Sequence, residues 1–330
     1  MNPIKLLTQI RNIRKGHCMP LKVSHHLNYR CNLQCEFCGR FPERESLMPK
    51  EQVKALMTFF RQLGTIYWSF NGGEPLLNPL FKEFAEHGKK IGFNTSLITN
   101  GILIPHNIDA VALVNRVVVS LEGMRETNDK IRGDGAFESA VEGIKIAGSK
   151  KIPVTIATVI NKINLGDFEQ LVDFASSIGC TVTFQPIHIH TEESRERTAK
   201  LFPTSEDISK ACEVIKALKR KYKNILCTDS YLNMVAKYWP KRPSIRPCYA
   251  GKAYCNITPD GRIAPCCAKL FDNDLLIETQ SGDFTKPVSN IPDMSACSDC
   301  LYNDAMEINM LISLKPKVIF EMAGFYFENK

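Results

Sequence analysis

Residues 23–38, VSHHLNYRCNLQCEFC, join a short apolar strand to a loop that holds three cysteines. The strand is predicted at 23–27, and Cys31, Cys35 and Cys38 follow in the loop that leaves it. Three thiolates this close together can bind three irons of a cubane cluster and leave the fourth iron without a protein ligand. The spacing therefore predicts a cluster with one open iron at the end of the first strand.

Strand and helix signals alternate from this first strand to residue 185. The predicted strands lie at 23–27, 65–70, 94–98, 116–121, 153–160 and 181–185, with helical stretches between them. Strands separated by helices favour parallel pairing with right-handed crossovers. The prediction is an α/β fold, a partial (β/α)6 TIM-like barrel, in which functional residues collect at the carboxyl ends of the strands.

The composition is that of a folded globular chain. The 330 residues are 44% hydrophobic and 23% charged, close to the average for globular proteins. No run of 18 uncharged apolar residues occurs, and the first residues lack the apolar core and cleavage site of a secretory signal. We therefore expect a cytoplasmic protein.

The positive charge is concentrated at the N-terminus. The formal net charge is +7, and five basic residues with no acid lie in the first 22 residues: Lys5, Arg11, Arg14, Lys15 and Lys22. The rest of the chain is nearly neutral, which argues against a nucleic-acid-binding surface. The first segment has moderate helical amphipathicity. It predicts either a helix packed under the main domain or a peripheral contact with a membrane or an acidic partner.

Thirteen cysteines are the most unusual feature of the composition. An odd number without an export signal argues against a disulfide framework, and clustered cysteines in a reducing compartment indicate metal. The first group, at 31–38, could instead be a zinc site completed by His25, His26 or a distant cysteine.

The second group of cysteines surrounds a predicted hairpin with its turn at Gly261. Its candidate ligands are Cys248, Cys266, Cys297 and Cys300. Four thiolates are enough to saturate a cubane cluster. A four-cysteine zinc ribbon is the alternative. Cys255 and Cys267 each lie near a proposed ligand and could take its place. The isolated cysteines are read as ordinary residues: Cys18, Cys180, Cys212 and Cys227.

The CxxxCxxC loop with Phe37 before its last cysteine resembles the radical S-adenosylmethionine (SAM) superfamily. The resemblance covers residues 22–190 and continues at the ends of the later strands. The matching cofactor-binding positions are Phe37, Gly72, Gly73, Glu74, Asn100, Ser120, Arg132 and Asn161. The resemblance implies that Glu74 binds the SAM amino group, that Arg132 pairs with its carboxylate, and that Ser120 and Asn161 lie near the nucleoside.

This resemblance also implies an activity. In the family, the cluster bound by Cys31, Cys35 and Cys38 donates an electron to SAM, and the resulting 5′-deoxyadenosyl radical takes hydrogen from a substrate. A reductant such as flavodoxin or ferredoxin is the expected electron donor.

The C-terminal cysteines are similar to the SPASM/twitch extension of these enzymes, in its shorter twitch form. The resemblance implies a second 4Fe-4S cluster, bound by Cys248, Cys266, Cys297 and Cys300. The predicted segments are a basic N-terminal segment (1–21), the partial barrel (22–190), a linker with helices (191–245), and the twitch domain with a C-terminal tail (246–330).

The substrate is predicted less directly. A peptide-modifying maturase often carries a leader-binding domain of about 80 residues, which the 22 residues before the first strand cannot hold. The main expectation is therefore a small-molecule or lipid-like substrate, with a peptide maturase or a non-catalytic iron-sulfur or zinc protein as alternatives. His188, His190 and Glu122 are further candidates to border the substrate cavity, while the catalytic acid, base or hydrogen donor stays unassigned.

Overall fold

The computed structural model describes residues 3–39, 46–189, 194–241, 247–279, 284–298, 300–314, 317–319 and 321. The side chains of residues 3–5 are not included in this description.

An eight-stranded sheet forms the centre of the protein, in the order β6-β5-β4-β3-β2-β1-β7-β8. The strands are β1 (Lys22–His26), β2 (Tyr67–Asn71), β3 (Asn94–Thr99), β4 (Arg116–Ser120), β5 (Val154–Ile160), β6 (Thr181–Pro186), β7 (Tyr254–Ile257) and β8 (Ile263–Ala264). The first six pair in parallel with their neighbours along the chain. The predicted six-stranded parallel α/β arrangement is confirmed.

Helices alternate with these strands. Those before β6 are α1 (Pro3–Arg14), α2 (Lys50–Leu63), α3 (Phe81–Lys90), α4 (Ile108–Val111), α5 (Arg125–Arg132), α6 (Ala136–Ser149) and α7 (Phe168–Ser177). Those after it are α8 (Arg195–Ala199), α9 (Ser205–Lys221), α10 (Asp229–Tyr238), α11 (Thr285–Ser289) and α12 (Asn303–Ile312). The sequence patterns did not reveal α5, α8 or α12, because α5 and α8 are short and charged and α12 follows a cysteine-rich loop.

The two faces of the sheet differ in chemistry because successive strand residues point to opposite sides. On the helix-covered face, fully buried Trp68 contacts Phe60 of α2, and Phe70 contacts Phe81 of α3. This aromatic packing forms the main core, and it explains why Trp68 is inaccessible to any ligand.

The opposite face carries hydroxyl groups. The side chains of Ser69 and Ser96 form a hydrogen bond of 2.8 Å between β2 and β3. Further along the sheet, Arg116 Nη1 donates to Thr155 Oγ1 at 2.7 Å, and Thr155 also contacts Thr181. The concave side of the sheet is therefore polar and hydrogen-bonded rather than filled with apolar side chains.

The predicted C-terminal hairpin is present, and it joins the main sheet. Strands β7 and β8 are antiparallel, and Gly261 in their turn has φ +90°, a value that favours glycine. Strand β7 also pairs in parallel with β1, from Lys22 opposite Tyr254 to His25 opposite Ile257. The hairpin thus continues the sheet of the barrel, although the sequence places it in a separate C-terminal domain.

The other edge of the sheet, at β6, is covered by residues 224–226. Val182 N donates to Asn224 O at 2.7 Å, and Leu226 N donates back to Val182 O at 2.8 Å. Helix α10 begins directly after this segment, and its N-cap residue Thr228 donates its backbone N–H to Glu307 of α12 at 2.9 Å. Helices α10 and α12 therefore lie near the β6 edge of the sheet.

Helix α1 packs on the main domain. Ile10 and Ile13 are buried, and Gln9 Nε2 donates to the carbonyl oxygens of Met19 and Gly64. Leu7 is exposed. These contacts support the packed-helix interpretation of the N-terminal segment, since they use much of its apolar face. Within the described residues, no helix has both the length and the apolar character needed to cross a bilayer.

Candidate active site

The three-cysteine loop follows β1 at the carboxyl edge of the sheet. Cys31 is exposed, Cys38 is half-buried and Cys35 is buried. Backbone contacts hold the loop from two sides, since Glu36 N donates to Ile131 O of α5 at 2.9 Å, and Arg197 of α8 donates to Cys38 O at 3.2 Å. The exposure of residue Cys31 shows that solvent reaches this part of the loop.

Arg197 lies in the segment that the sequence predicts as a linker. Its contact with the cysteine loop is reinforced by the buried Thr198, whose hydroxyl lies 3.5 Å from Phe37 O. Nothing in the sequence signals this contact, because the two segments are about 160 positions apart. His190 and residues 191–193 of the same predicted linker lie outside the described residues.

The glycine pair after β2 packs against the start of the cysteine loop. A Cβ atom on Gly72 would lie 2.3 Å from Asn28 O, and one on Gly73 would lie 2.2 Å from Arg30 O. Gly73 N donates to Asn28 O, and Glu74 N donates to Arg30 O at 2.7 Å. The two glycines are thus needed for the close approach of two backbones, whereas the family resemblance gives this motif a role in binding SAM.

Glu74 connects the loops after β2 and β3. Its carboxylate is buried and accepts hydrogen bonds from Leu76 N, Asn100 N and the Thr99 hydroxyl, at 2.9 to 3.1 Å. Burial raises the pKa of Glu74, and these donors counteract the increase. In this structure Glu74 holds the loops together, and its binding of the SAM amino group stays a prediction.

Two polar side chains approach the sulfur atoms of the loop. Asn100 Nδ2 lies 3.9 Å from Cys31 Sγ, and Arg132 Nη1 lies 3.7 Å from Cys35 Sγ. Burial raises the pKa of both thiols, and these two donors counteract the increase, which favours the thiolate form that binds iron. The donor set therefore fits an iron-sulfur cluster at Cys31, Cys35 and Cys38.

Arg132 also forms a buried ion pair with Glu122. Its Nε lies 3.1 Å from Glu122 Oε1, and the other oxygen of Glu122 accepts from Val159 N at 2.7 Å. Burial acts to lower the pKa of Arg132, but Glu122 and the nearby thiols raise it above its ordinary value. This pairing explains Glu122, which the sequence analysis placed beside the substrate cavity, and it gives Arg132 a partner other than the SAM carboxylate.

The two remaining predicted nucleoside contacts differ in accessibility. Ser120 is the last residue of β4 and is half-buried at the carboxyl edge of the sheet. Asn161 is fully buried, and its amide forms a turn with Ile163 N and Val159 O, both at 2.9 Å. In this structure, therefore, Ser120 is accessible to a ligand, whereas Asn161 shapes the loop after β5.

The C-terminal cysteines gather around the hairpin. Cys248, Cys266 and Cys300 are buried, and Cys297 is half-buried. Beyond the dominant effect of burial, Cys248 and Cys300 both raise the pKa of Cys266, and Cys297 raises that of Cys300, which places these thiols near one another. This donor set fits a second cluster.

Cys255 and Cys267, the two alternative ligands, have different surroundings. After burial, Cys267 is the largest influence that raises the pKa of both Cys266 and Cys300, so it lies within the C-terminal group. Cys255 lies in β7, and the neighbouring thiol that affects it is that of Cys18. Cys267 thus remains an alternative ligand, and the surroundings of Cys255 argue against that role.

Zinc is the alternative metal for both groups of thiols. Two sulfur ligands of one zinc ion lie within about 4.6 Å of each other, twice the Zn–S distance of about 2.3 Å. Among the residues that the structure describes, no three His, Cys, Asp or Glu side chains are close enough to bind one metal ion.

His188 lies just beyond β6, beside the C-terminal group. Its ring stacks on Tyr302 at a centroid distance of 4.1 Å, and Cys266, Cys267 and Cys300 all raise the pKa of Tyr302 after burial. His188 thus links the carboxyl edge of the sheet to the second set of thiols.

Comparison with known proteins agrees with this geometry. The profile of the radical SAM superfamily matches residues 27–175. A PqqA peptide cyclase from Rhizobium meliloti is 25% identical over 76% of this chain and 68% of its own length. The mycofactocin maturase MftC of Mycobacterium tuberculosis is 26% identical over 81% of this chain and 69% of its own.

A solved structure shares the fold. Streptococcus suis SuiB, bound to its precursor peptide SuiA, superposes with a TM-score of 0.67, with 19% identity over 88% of this chain and 70% of SuiB. At this level of identity the likeness shows a shared fold. Residues 27–175 match the radical SAM superfamily, which is the resemblance that the motifs of the sequence predict.

Proposed function

We propose that this radical SAM enzyme modifies a peptide substrate. The main support is the extent of the likeness to a PqqA peptide cyclase, which covers 76% of the chain, and to a mycofactocin maturase, which covers 81%. These alignments are longer than the radical SAM domain at residues 27–175, so they include sequence outside the SAM-binding half. They favour a peptide over the small-molecule or lipid-like substrate that the sequence analysis preferred.

The concave face of the sheet supports a polar substrate. It carries the hydrogen-bonded pairs Ser69–Ser96 and Thr155–Thr181, together with Arg116. A lipid chain there would displace water from the hydrogen-bonding positions that these side chains do not use on one another, which costs free energy. A peptide backbone can exchange hydrogen bonds with the same groups, so the chemistry of this face fits a peptide better than a lipid.

The N-terminal site would bind the first cluster through Cys31, Cys35 and Cys38. When bound, this cluster supplies the electron for reductive cleavage of SAM. The chain positions the thiols through the glycine contacts at Asn28 and Arg30 and through the ion pair of Arg132. The exposed Cys31 leaves space on one side, where SAM would approach near Ser120.

The second site would bind an auxiliary cluster through Cys248, Cys266, Cys297 and Cys300. Four thiolates close a cubane, so this cluster would accept or pass electrons without binding substrate. Burial of three of these thiols supports an internal role, because a buried site excludes water and substrate alike.

The test uses the full chain, reconstituted anaerobically with iron and sulfide and reduced by flavodoxin or dithionite. It is incubated with SAM and with short peptides encoded beside its gene, and the products are followed by mass spectrometry. We expect 5′-deoxyadenosine together with hydrogen loss or a new cross-link in one peptide. A scrambled version of that peptide serves as the control. Turnover of a small molecule or lipid, with every peptide unchanged, would overturn the proposal.

A further inference from the structure

Helix α12 brings an asparagine to one of the proposed auxiliary-cluster ligands. Asn309 Nδ2 lies 3.8 Å from Cys248 Sγ and 3.3 Å from the hydroxyl oxygen of Tyr254. All three residues are buried, each with 5% or 6% of its surface exposed. Water therefore has little access to this group, and its hydrogen bonds must be satisfied within the protein.

The orientation of the Asn309 amide follows from its third contact. Its Oδ1 accepts from the backbone N–H of Tyr249 at 2.8 Å. An amide oxygen can only accept, so the NH2 group must be the end that faces Cys248 and Tyr254. One N–H is thus available for the sulfur and the other for the tyrosine oxygen.

Tyr254 adds a second donor to the same sulfur. Its hydroxyl oxygen lies 3.4 Å from Cys248 Sγ. Since that oxygen accepts from Asn309, its own proton is free to be donated to Cys248.

We propose that Asn309 and Tyr254 set the reduction potential of the auxiliary cluster through hydrogen bonds to Cys248. This inference rests on the proposed function, in which Cys248 is a cluster ligand. Hydrogen bonds to a ligating sulfur withdraw electron density from it and stabilise the more negative, reduced cluster. Both residues are positioning residues, since they act on the cluster through the sulfur of Cys248.

The same helix offers a matched control. Asn303, also on α12, donates from Nδ2 towards Cys227 Sγ at 3.5 Å. Cys227 lies outside the proposed ligand set. An asparagine-to-sulfur contact of the same kind is therefore present at a thiol that should bind no iron.

The experiment measures the midpoint potential of the auxiliary cluster by redox titration followed with electron paramagnetic resonance. Each variant is made in a full chain with C31A, C35A and C38A, so that the signal comes from the second site alone. We expect Tyr254→Phe and Asn309→Leu to retain about four irons and to shift the midpoint to more negative values. Asn303→Leu should leave it unchanged.

The outcomes distinguish a failure of the hydrogen-bonding role from a failure of the assignment of Cys248 as a cluster ligand. Four irons with a midpoint that neither variant moves would overturn the hydrogen-bonding role and leave the auxiliary cluster in place. Iron retained in full after Cys248→Ala would overturn both the role and the ligand assignment. If Asn309→Leu fails to fold, Tyr254→Phe still decides, because it removes only one hydroxyl group.

Discussion

The two cysteine regions contrast in how they are built. The N-terminal thiols lie within eight positions of one loop, and the first of them is exposed. The C-terminal candidates are spread over residues 248–300, and most are buried against the hairpin and α12. The difference fits the two tasks proposed above, since a cluster that binds SAM needs an open side, whereas burial would protect one that only carries electrons.

The largest expected effect comes from removing the open site. Replacing Cys31, Cys35 and Cys38 together with alanine should abolish 5′-deoxyadenosine formation and lower the iron content from about eight to about four per chain. Iron analysis and chromatography of the nucleoside check both results. Cys212→Ala, a buried thiol outside both regions, is the control. Continued SAM cleavage in the triple variant would show that these three cysteines do not bind the cluster that cleaves SAM.

Adding one methyl group at Gly73 tests how the loop of Cys31, Cys35 and Cys38 is positioned. Gly73→Ala places a Cβ 2.2 Å from Arg30 O, so the start of the cysteine loop must move. A displacement of about 1 Å in an active site can lower the rate by about 100-fold, and we expect a loss of that order in SAM cleavage.

Gly148→Ala is the matched control, since a Cβ there meets nothing within 4 Å. Its rate should equal that of the wild type. Equal rates in the two variants would show that the contact of the glycine pair with residues 28–30 does not position the cluster.

The buried site is tested by two cysteines of the hairpin region. Cys266→Ala should reduce the iron content from about eight to about four, because it removes a ligand of the second cluster. Cys255→Ala should keep about eight, since its neighbouring thiol is Cys18. The comparison is made by elemental analysis of reconstituted protein. If iron is lost in Cys255→Ala and not in Cys266→Ala, Cys255 is the ligand and Cys266 is not.

The smallest expected effect concerns the helix behind the buried site. Burial raises the pKa of Glu307 on α12 from 4.5 to about 7, although its Oε1 accepts from Thr228 N. Because the folded pKa lies above the unfolded value, the stability that protonated Glu307 contributes is present below about pH 4.5 and is lost as the pH rises to about 7.

Glu307→Gln keeps the acceptor and removes the charge. We expect the variant to be more stable than the wild type at pH 8, by a free energy of unfolding on the order of 3 kcal/mol at most, and therefore to unfold at a higher temperature. At pH 5 the two proteins should unfold at nearly the same temperature. Thermal unfolding followed by circular dichroism at the two pH values measures this. A variant that is less stable at pH 8 would show that α12 needs the carboxylate.

Local sequence patterns were sufficient for much of the fold and for the open site. The six parallel strands, the cysteine loop after the first strand and the hairpin turn at Gly261 were all predictable. Strand periodicity, short cysteine spacing and glycine at a positive φ are local properties. They need no knowledge of which distant segments meet.

Roles of individual side chains were less predictable. Glu122 and Arg132 are ten positions apart and belong to different elements, and their ion pair depends on how α5 returns to the end of β4. Arg197 reaches the cysteine loop from α8, and Asn309 reaches Cys248 from a helix that the sequence patterns did not reveal. Such contacts are set by the packing of separate segments.

The sequence by itself determined the superfamily, the parallel sheet and the two groups of thiols, because each of these is recorded in residues that are close along the chain. Only the tertiary structure decided that β7 pairs with β1, that Glu74 and Glu122 hold loops together, and that Cys255 faces Cys18. The physical reason is that burial and hydrogen-bond partners depend on distances in space. Those distances are fixed only when helices and strands far apart in the chain pack together.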